Sequence, residues 1–297
     1  MAERLDDLCA SFKRDLRAEG KAPRTGDLYA MSVRLFGAWL TEQGRPATLD
    51  ELSRSAIREW LAALAEDREQ STVRTRFKGL HRFCGWLVAE GELDAHPMAG
   101  MSPPAPAAKP VPVLSDAELT ALIKACGGRD FVSRRDAAMI RVLLETGVRV
   151  SELCGLTVQS VDLDREMALV TGKGSKVRPV YFGSRTVSAL DRYLRERRRH
   201  RWAHLDAMWL TQRGALSPDG ARERIKIRGR EAGIDGLHPH MFRHVFAHDY
   251  LMAGGQERDL KRLAGWTSDT MLERYGASAA DARAAAAARR MARGDRV

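Results

Sequence analysis

The chain has 297 residues, 44% hydrophobic and 30% charged, a balance that excludes a disordered chain and supplies apolar side chains for two cores. Lys and Arg number 49 against 39 Asp and Glu, a formal charge of +10 that suits a polyanionic partner. No run of eighteen apolar residues occurs, so no membrane-spanning helix is expected, and the charged, amphipathic start MAERLDDLCASFKRDL reads as no signal peptide.

In chain order, the first ninety or so residues read as helix throughout. Leu5, Leu8, Phe12 and Leu16 recur at spacings of three and four. So do Leu28, Met31, Leu35 and Trp39, then Ile57, Trp60 and Leu64, then Val73, Phe77, Leu80 and Leu87. These stripes predict a bundle of about four helices. The last, STVRTRFKGLHRFCGWLVAEG, carries Arg74, Arg76, Lys78 and His81 off its apolar stripe. Arg74, Lys78 and His81 share one face and could follow a phosphate track; a solvated surface explains them equally well.

HPMAGMSPPAPAAKPVPVL, residues 96–114, is rich in Pro and Ala and cannot form a helix. It predicts an N-terminal domain over 1–95, a linker over 96–112 and a C-terminal domain over 113–297. Ser115 and Glu118 have the spacing of a capping box. A helix is predicted from Ser133 to about Thr146, ended by Gly147, with a short one from about Ser151. The period then changes. EMALVTGKGSKVRPVYFG reads as a β-hairpin around Gly172–Ser175, and AMWLTQRG as another short strand. The remainder is helical, including an Ala-rich tail. The expected fold class is mainly α: a helical bundle followed by a mostly helical domain with a small antiparallel β-sheet. Cys9, Cys84, Cys126 and Cys154 form no CxxC pair and read as buried, reduced thiols.

Four stretches of the C-terminal half carry chemistry, each weak alone. In TGVRVSEL, Arg149 follows a helix end, and Glu152 lies three positions on, able to hold its guanidinium. In GKGSKVR, Lys173 sits at the hairpin tip between glycines, with Lys176 and Arg178 on the return strand. This Gly-rich turn opens no helix and so is no phosphate loop. In LHPHMFRHVFAH, His240 and Arg243 can face one phosphate. His240, His244 and His248 also make a possible metal ladder, but Met241 stands where a zincin would have Glu. In LAGWTSDTMLERYG, Trp266 precedes Tyr275 by nine residues, and either could be a core aromatic. Together these groups are the inventory for phosphoryl transfer without a metal. Arginine forks neutralise the non-bridging oxygens, an indole N–H donates to them, and a phenol in a basic pocket is the nucleophile. A lysine protonates the departing oxygen.

The four boxes, in this order and spacing, resemble those of the tyrosine recombinases, the phage-integrase and Xer-like family, and the resemblance covers essentially the whole chain. It implies that Arg149, Lys173, His240, Arg243, Trp266 and Tyr275 are catalytic, with Glu152 supporting. Most bacterial members carry histidine where this chain has Trp266. Tryptophan donates a hydrogen bond but shuttles no proton, so acid–base work falls to Lys173 and His240. The N-terminal bundle is similar to the family's SAM-like core-binding domain, and the C-terminal half to its catalytic domain.

The resemblance further implies attack by Tyr275 on a DNA phosphodiester, a 3′-phosphotyrosyl link and a released 5′-hydroxyl, with neither metal nor ATP as cofactor. Expected DNA contacts are Arg74, Arg76, Lys78, His81, Lys176 and Arg178, with basic surfaces on both halves. The expected partner is double-stranded DNA with a specific core site, bound by a homotetramer on two sites that forms a Holliday junction. The protein would be a monomer when free, cytoplasmic and nucleoid-associated, with no membrane partner. The tail would pack in trans on a neighbouring protomer, and the short N-terminal region leaves no room for a separate arm-binding domain. Alternatives are a type IB topoisomerase-like strand passer and a catalytically silent DNA-binding protein.

Overall fold

A computed structural model describes residues 3–105, 113–266, 268–291 and 294; the side chains at 173, 270, 273–279, 281, 282 and 286 also lie outside the described set. The chain divides into two units, Met1–Lys109 and Pro110–Val297. Residues 106–112 of the expected linker fall outside the described residues.

Among the described residues, the first unit has four α-helices: α1 (Leu5–Ala18), α2 (Pro23–Glu42), α3 (Arg54–Asp67) and α4 (Gln70–Ala89). Phe12, Phe36, Trp60 and Phe83 are fully or almost fully buried at its centre. Phe36 meets Trp60 edge-on at 5.4 Å, and Phe12 meets Phe83 at 5.3 Å, the geometry favoured by ring quadrupoles. The stripe expected on α2 is corrected. Leu28, Met31 and Leu35 are exposed, and Ala30, Val33, Phe36 and Leu40 face the core instead. The reason is close packing. A Cβ on Gly79 of α4 would strike Ser32, so α2 lies close against α4 with Ser32 at the contact, which turns Leu28, Met31 and Leu35 outward.

The second unit builds α5 (Asp116–Ala125), α6 (Phe131–Thr146) and α7 (Val150–Cys154), then β1 (Val161–Asp162), β2 (Met167–Thr171) and β3 (Val177–Tyr181). There follow α8 (Ser184–Arg197), β4 (Leu210–Thr211), β5 (Gly214–Ala215), α9 (Pro218–Glu231), α10 (Pro239–Met252), α11 (Glu257–Ala264) and α12 (Asp269–Met291). The three strands pair antiparallel in the order β1-β2-β3, with Val170 opposite Arg178. The hairpin therefore stands where expected, and the second expected strand is a small hairpin, β4-β5. The mainly α class with a small antiparallel sheet holds. Ser115 caps α5 with Glu118 bonding back to its N–H at 2.8 Å. Tyr193 stacks on Trp209 at 5.3 Å, and the indole N–H of Trp209 donates to Leu153 O at 2.8 Å, which ties α7 to the core.

One expectation about the C-terminus changes. Sequence alone treats the stretch that ends at Tyr275 and the Ala-rich tail as two segments. The structure makes them one helix of 23 residues, α12, which packs on α10 of its own chain. The segment between Trp266 and Tyr275 is broken rather than continuous: Gly265 caps α11 at φ 64, and α12 starts only at Asp269.

Candidate active site

Two helix ends build the site. α6 ends at Thr146 because Gly147 turns left-handed, φ 57, where a side chain would also strike the Phe246 ring. The turn places Arg149 at the N-cap of α7. α10 starts at Pro239, a residue preorganised for a first helical turn, so His240 and Arg243 both lie near its N-terminus. Positive dipole character at such an end favours an anion.

The two ends meet. Arg243 is 2% exposed and donates to Gly147 O at 2.5 Å, a residue ninety-six positions earlier. Its second nitrogen donates to Ala264 O at 2.5 Å, and its guanidinium lies 5.5 Å from the Trp266 ring centre. Arg243 thus joins the α6–α7 turn, α10 and the end of α11. A pocket of about 130 Å³ is lined by Arg149, Arg222, His240 and Arg243 together with the backbone turn Val148–Ser151.

Glu152 is the anchor beneath it. Its carboxylate accepts from the Arg149 N–H at 2.8 Å and from Arg149 Nη1 at 2.8 Å. It also accepts two bonds from Arg178, at 3.1 and 2.9 Å. Burial raises the Glu152 pKa, but the Arg178 and Arg149 bonds more than offset it and hold the carboxyl below its usual range. Arg178 Nε donates to Leu263 O at 2.9 Å, so β3, α7 and α11 are pinned through one guanidinium. Gly265 is required twice there: its φ of 64 disfavours a side chain, and a Cβ would sit 3.0 Å from Arg178.

Sequence reading brought Arg149, Glu152, His240, Arg243 and Trp266 to one place, and the structure puts them there. Trp266 is buried, with Leu260, Ala264 and Leu251 in one cluster. Lys173 opens the short turn between β2 and β3, and Tyr275 lies on α12; the side chains of both are outside the described residues. Lys176 is exposed on the hairpin. Arg178, expected to reach DNA, is turned inward onto Glu152, with its side chain 14% exposed.

In the first unit, Lys78 and His81 are exposed, whereas Arg74 donates to Pro104 O at 3.0 Å and Arg76 to Leu28 O at 3.5 Å. His81 sits between Phe77 and His96; burial first and His96 second lower its pKa, so it offers a neutral N–H rather than a charge. The charge is uneven between the two units. Residues 1–109 carry 16 basic and 16 acidic side chains, and residues 110–297 carry 33 and 23, so the entire net charge belongs to the second unit.

Sequence reasoning missed Arg222. It stands on the first turns of α9, paired with Asp219, and only folding brings it beside Arg149 and His240. It also missed the hub that fixes α9. Asp136 on α6, 1% exposed, accepts from Arg135 at 2.8 Å, Arg224 at 2.6 Å and Arg228 at 2.9 Å. Among the described residues, no group of three His, Cys, Asp or Glu is arranged to hold a metal, and His244 of the suggested ladder is buried. No described helix is long and apolar enough to cross a membrane.

Comparison with known proteins points the same way. The profile described as "Phage integrase family" matches residues 112–281, and "Phage integrase, N-terminal SAM-like domain" matches residues 9–91. Tyrosine recombinase XerD of Pseudomonas aeruginosa is 34% identical over 83% of this chain and 84% of its own length. Tyrosine recombinase XerC of Mycobacterium tuberculosis is 32% identical over 86% and 88%. Among solved structures, XerH site-specific recombinase bound to palindromic difH substrate, a post-cleavage complex, superposes with a TM-score of 0.77 at 19% identity. It covers 95% of this chain and 83% of that one, a likeness of fold.

Proposed function

Because the chain belongs to the phage integrase family, we infer that it is a site-specific DNA recombinase of the Xer and integrase type. The pocket between α7 and α10 holds the phosphodiester that it cuts. The observation that carries this reading is the meeting of Arg149 and Arg243, from helix ends far apart in sequence, at one small pocket with His240.

The chemistry follows from the groups. The Tyr275 hydroxyl passes its proton to His240 as its oxygen attacks phosphorus; the new O–P bond forms as the bond to the 5′ oxygen breaks. Arg149 and Arg243 neutralise the charge gathered on the non-bridging oxygens, and His240 donates beside them. Trp266 packs under the Arg243 guanidinium and orients it. Lys173 gives its proton to the departing 5′ oxygen, which leaves as a hydroxyl. The 5′-hydroxyl of a second duplex then attacks the phosphotyrosyl ester, and the phenol is released. One ester replaces another at each step, so neither ATP nor a metal is needed.

On the same reading, residues 1–95 are the SAM-like core-binding domain, 96–112 the linker and 113–297 the catalytic domain. Lys78, His81 and Lys176 contact DNA, together with Arg74 and Arg76 once the duplex competes for them. Four protomers act on two core sites. XerH is described on its difH substrate and lambda integrase as a tetramer on a Holliday junction, and these relatives support that assembly here. The protein acts in the cytoplasm at the nucleoid. The end of α12 exchanges onto a neighbouring protomer.

A nicked suicide duplex carrying the cognate site tests the reading. Wild type forms an adduct that survives denaturant, and Tyr275→Phe forms none; a fully active Tyr275→Phe would overturn the assignment. Lys173→Ala is slow on ordinary DNA and rescued by a 5′-phosphorothiolate leaving group; absence of rescue removes the lysine as general acid. Relaxation of supercoiled plasmid lacking any core site would favour the topoisomerase alternative.

A further inference from the structure

The phosphate pocket is not the largest cavity of the second unit. Another, of about 410 Å³, lies between the end of α5, the exposed side of α6 and α8. No residue lines both. The end of β3 that leads into α8 is a full strand length, about 16 Å, from the hairpin tip beside Glu152. The cavity is therefore separate from the reaction centre.

Its chemistry is uneven. Ile123, Ala137 and Ala189 make an apolar floor, and Arg129, Arg134, Arg141 and Arg192 surround it, with no carboxylate in the lining. Arg134 is paired with Glu196 at 2.8 Å. Among the described residues no carboxylate pairs with Arg129, Arg141 or Arg192. Burial first, then repulsion from Arg185 and Arg192, lowers the Arg141 pKa, while the opposing Glu145 spends one oxygen on Gly183 N at 2.7 Å. The adjoining stretch 184–201 carries seven arginines against Asp191 and Glu196 alone. Arg197 is turned inward onto backbone carbonyls and Arg195 pairs with Asp191, but the excess of arginines leaves this stretch strongly positive beside the cavity. Like charges held this close cost stability, and nothing in strand cleavage requires them here.

We propose that this cavity is a docking site for an acidic peptide segment of a partner protein, one that places an apolar side chain on the floor and carboxylates against Arg129, Arg141 and Arg192. Charge complementarity selects the acidic partner, because guanidinium forks take carboxylates bidentately. The floor selects a peptide over a DNA backbone, which offers phosphates but no apolar group to cover Ile123 and the two alanines. The volume suits a few side chains rather than a duplex.

The test uses the full-length protein and a labelled ten-residue peptide of glutamates with two leucines four positions apart, followed by fluorescence anisotropy. Binding is expected to saturate, to weaken at least tenfold in Arg141→Glu/Arg192→Glu, and to weaken when the leucines become serine. It is expected to stay within twofold in Arg149→Ala and in Arg165→Glu/Arg213→Glu, a control of equal charge at exposed positions elsewhere. Arg192→Glu alone, at an exposed site, should already weaken binding severalfold with an unchanged melting temperature, which separates docking from misfolding. Three results would each overturn the proposal: no saturable peptide binding, equal loss in the control pair, or loss of random-duplex binding in the cavity variants with peptide binding intact. The last would assign the cavity to DNA.

Discussion

Arg178 on β3 and Glu152 on α7 form a two-pronged ion pair, 2.9 and 3.1 Å, with Glu152 almost wholly withdrawn from solvent. The same carboxylate holds Arg149, and the same guanidinium holds the Leu263 carbonyl, two residues before Gly265. Arg149, the first arginine of the proposed reaction centre, is thus positioned from beneath by a second guanidinium that is turned inward.

Arg178→Ala should therefore act on structure and activity together. It leaves a buried carboxylate with one cation instead of two, at a cost of roughly 3 kcal/mol. Urea unfolding should show that loss, and suicide-duplex cleavage should fall even under conditions where the variant is folded. A variant with wild-type stability and reduced DNA affinity would instead mean that Arg178 is a DNA contact.

Glu152 sets an acid limit. Its pKa is depressed in the folded chain below the ordinary 4.5. Its contribution to stability is thus present above the unfolded value and is lost as pH falls from about 4.5 through the folded value. Urea midpoints measured downward from pH 6 should drop more in wild type than in Glu152→Gln over that window. Parallel curves for the two proteins would show that Glu152 is not the titrating group.

Gly147→Ala tests the turn that joins the two arginines. It forces a side chain into a left-handed position and against the Phe246 ring, and should cost about 2 kcal/mol or more. Because Gly147 O receives Arg243, cleavage should fall further than folding alone explains. Wild-type cleavage by the folded variant would argue that Arg243 needs no such anchor.

Arg222 should behave as a phosphate ligand. Its side chain is partly exposed, so Arg222→Ala should melt like wild type. The slope of log affinity against log salt should shrink by about 1, the signature of one lost phosphate contact. An unchanged slope would confine Arg222 to its pair with Asp219.

Much of this site was legible in local sequence. Arg149 and Glu152 lie within one capping distance, and His240 and Arg243 within one helical turn, so spacing alone placed each pair on one surface. What spacing cannot carry is partnership across the fold. Arg178 looked like a hairpin cation because its acceptor lies twenty-six residues away, and Asp136 gave no signal because Arg224 and Arg228 lie 88 and 92 positions downstream. The α2 error has a different origin: two stripes on α2 carry apolar residues, and the close contact of Ser32 with Gly79 selects the one with Ala30, Val33, Phe36 and Leu40 over the one with Leu28, Met31 and Leu35. The continuity of α12 was missed because its composition changes at Tyr275 while the backbone does not.

The central claim is that the phenolic oxygen of Tyr275 receives the phosphate held by Arg149 and Arg243. The most direct measurement is the mass of the nuclease-trimmed covalent adduct, fragmented to locate the attached nucleotide. The account predicts a 3′-linked nucleotide on Tyr275, absent in Arg243→Ala. A nucleotide on any other side chain, or on the 5′ side of the break, would contradict it.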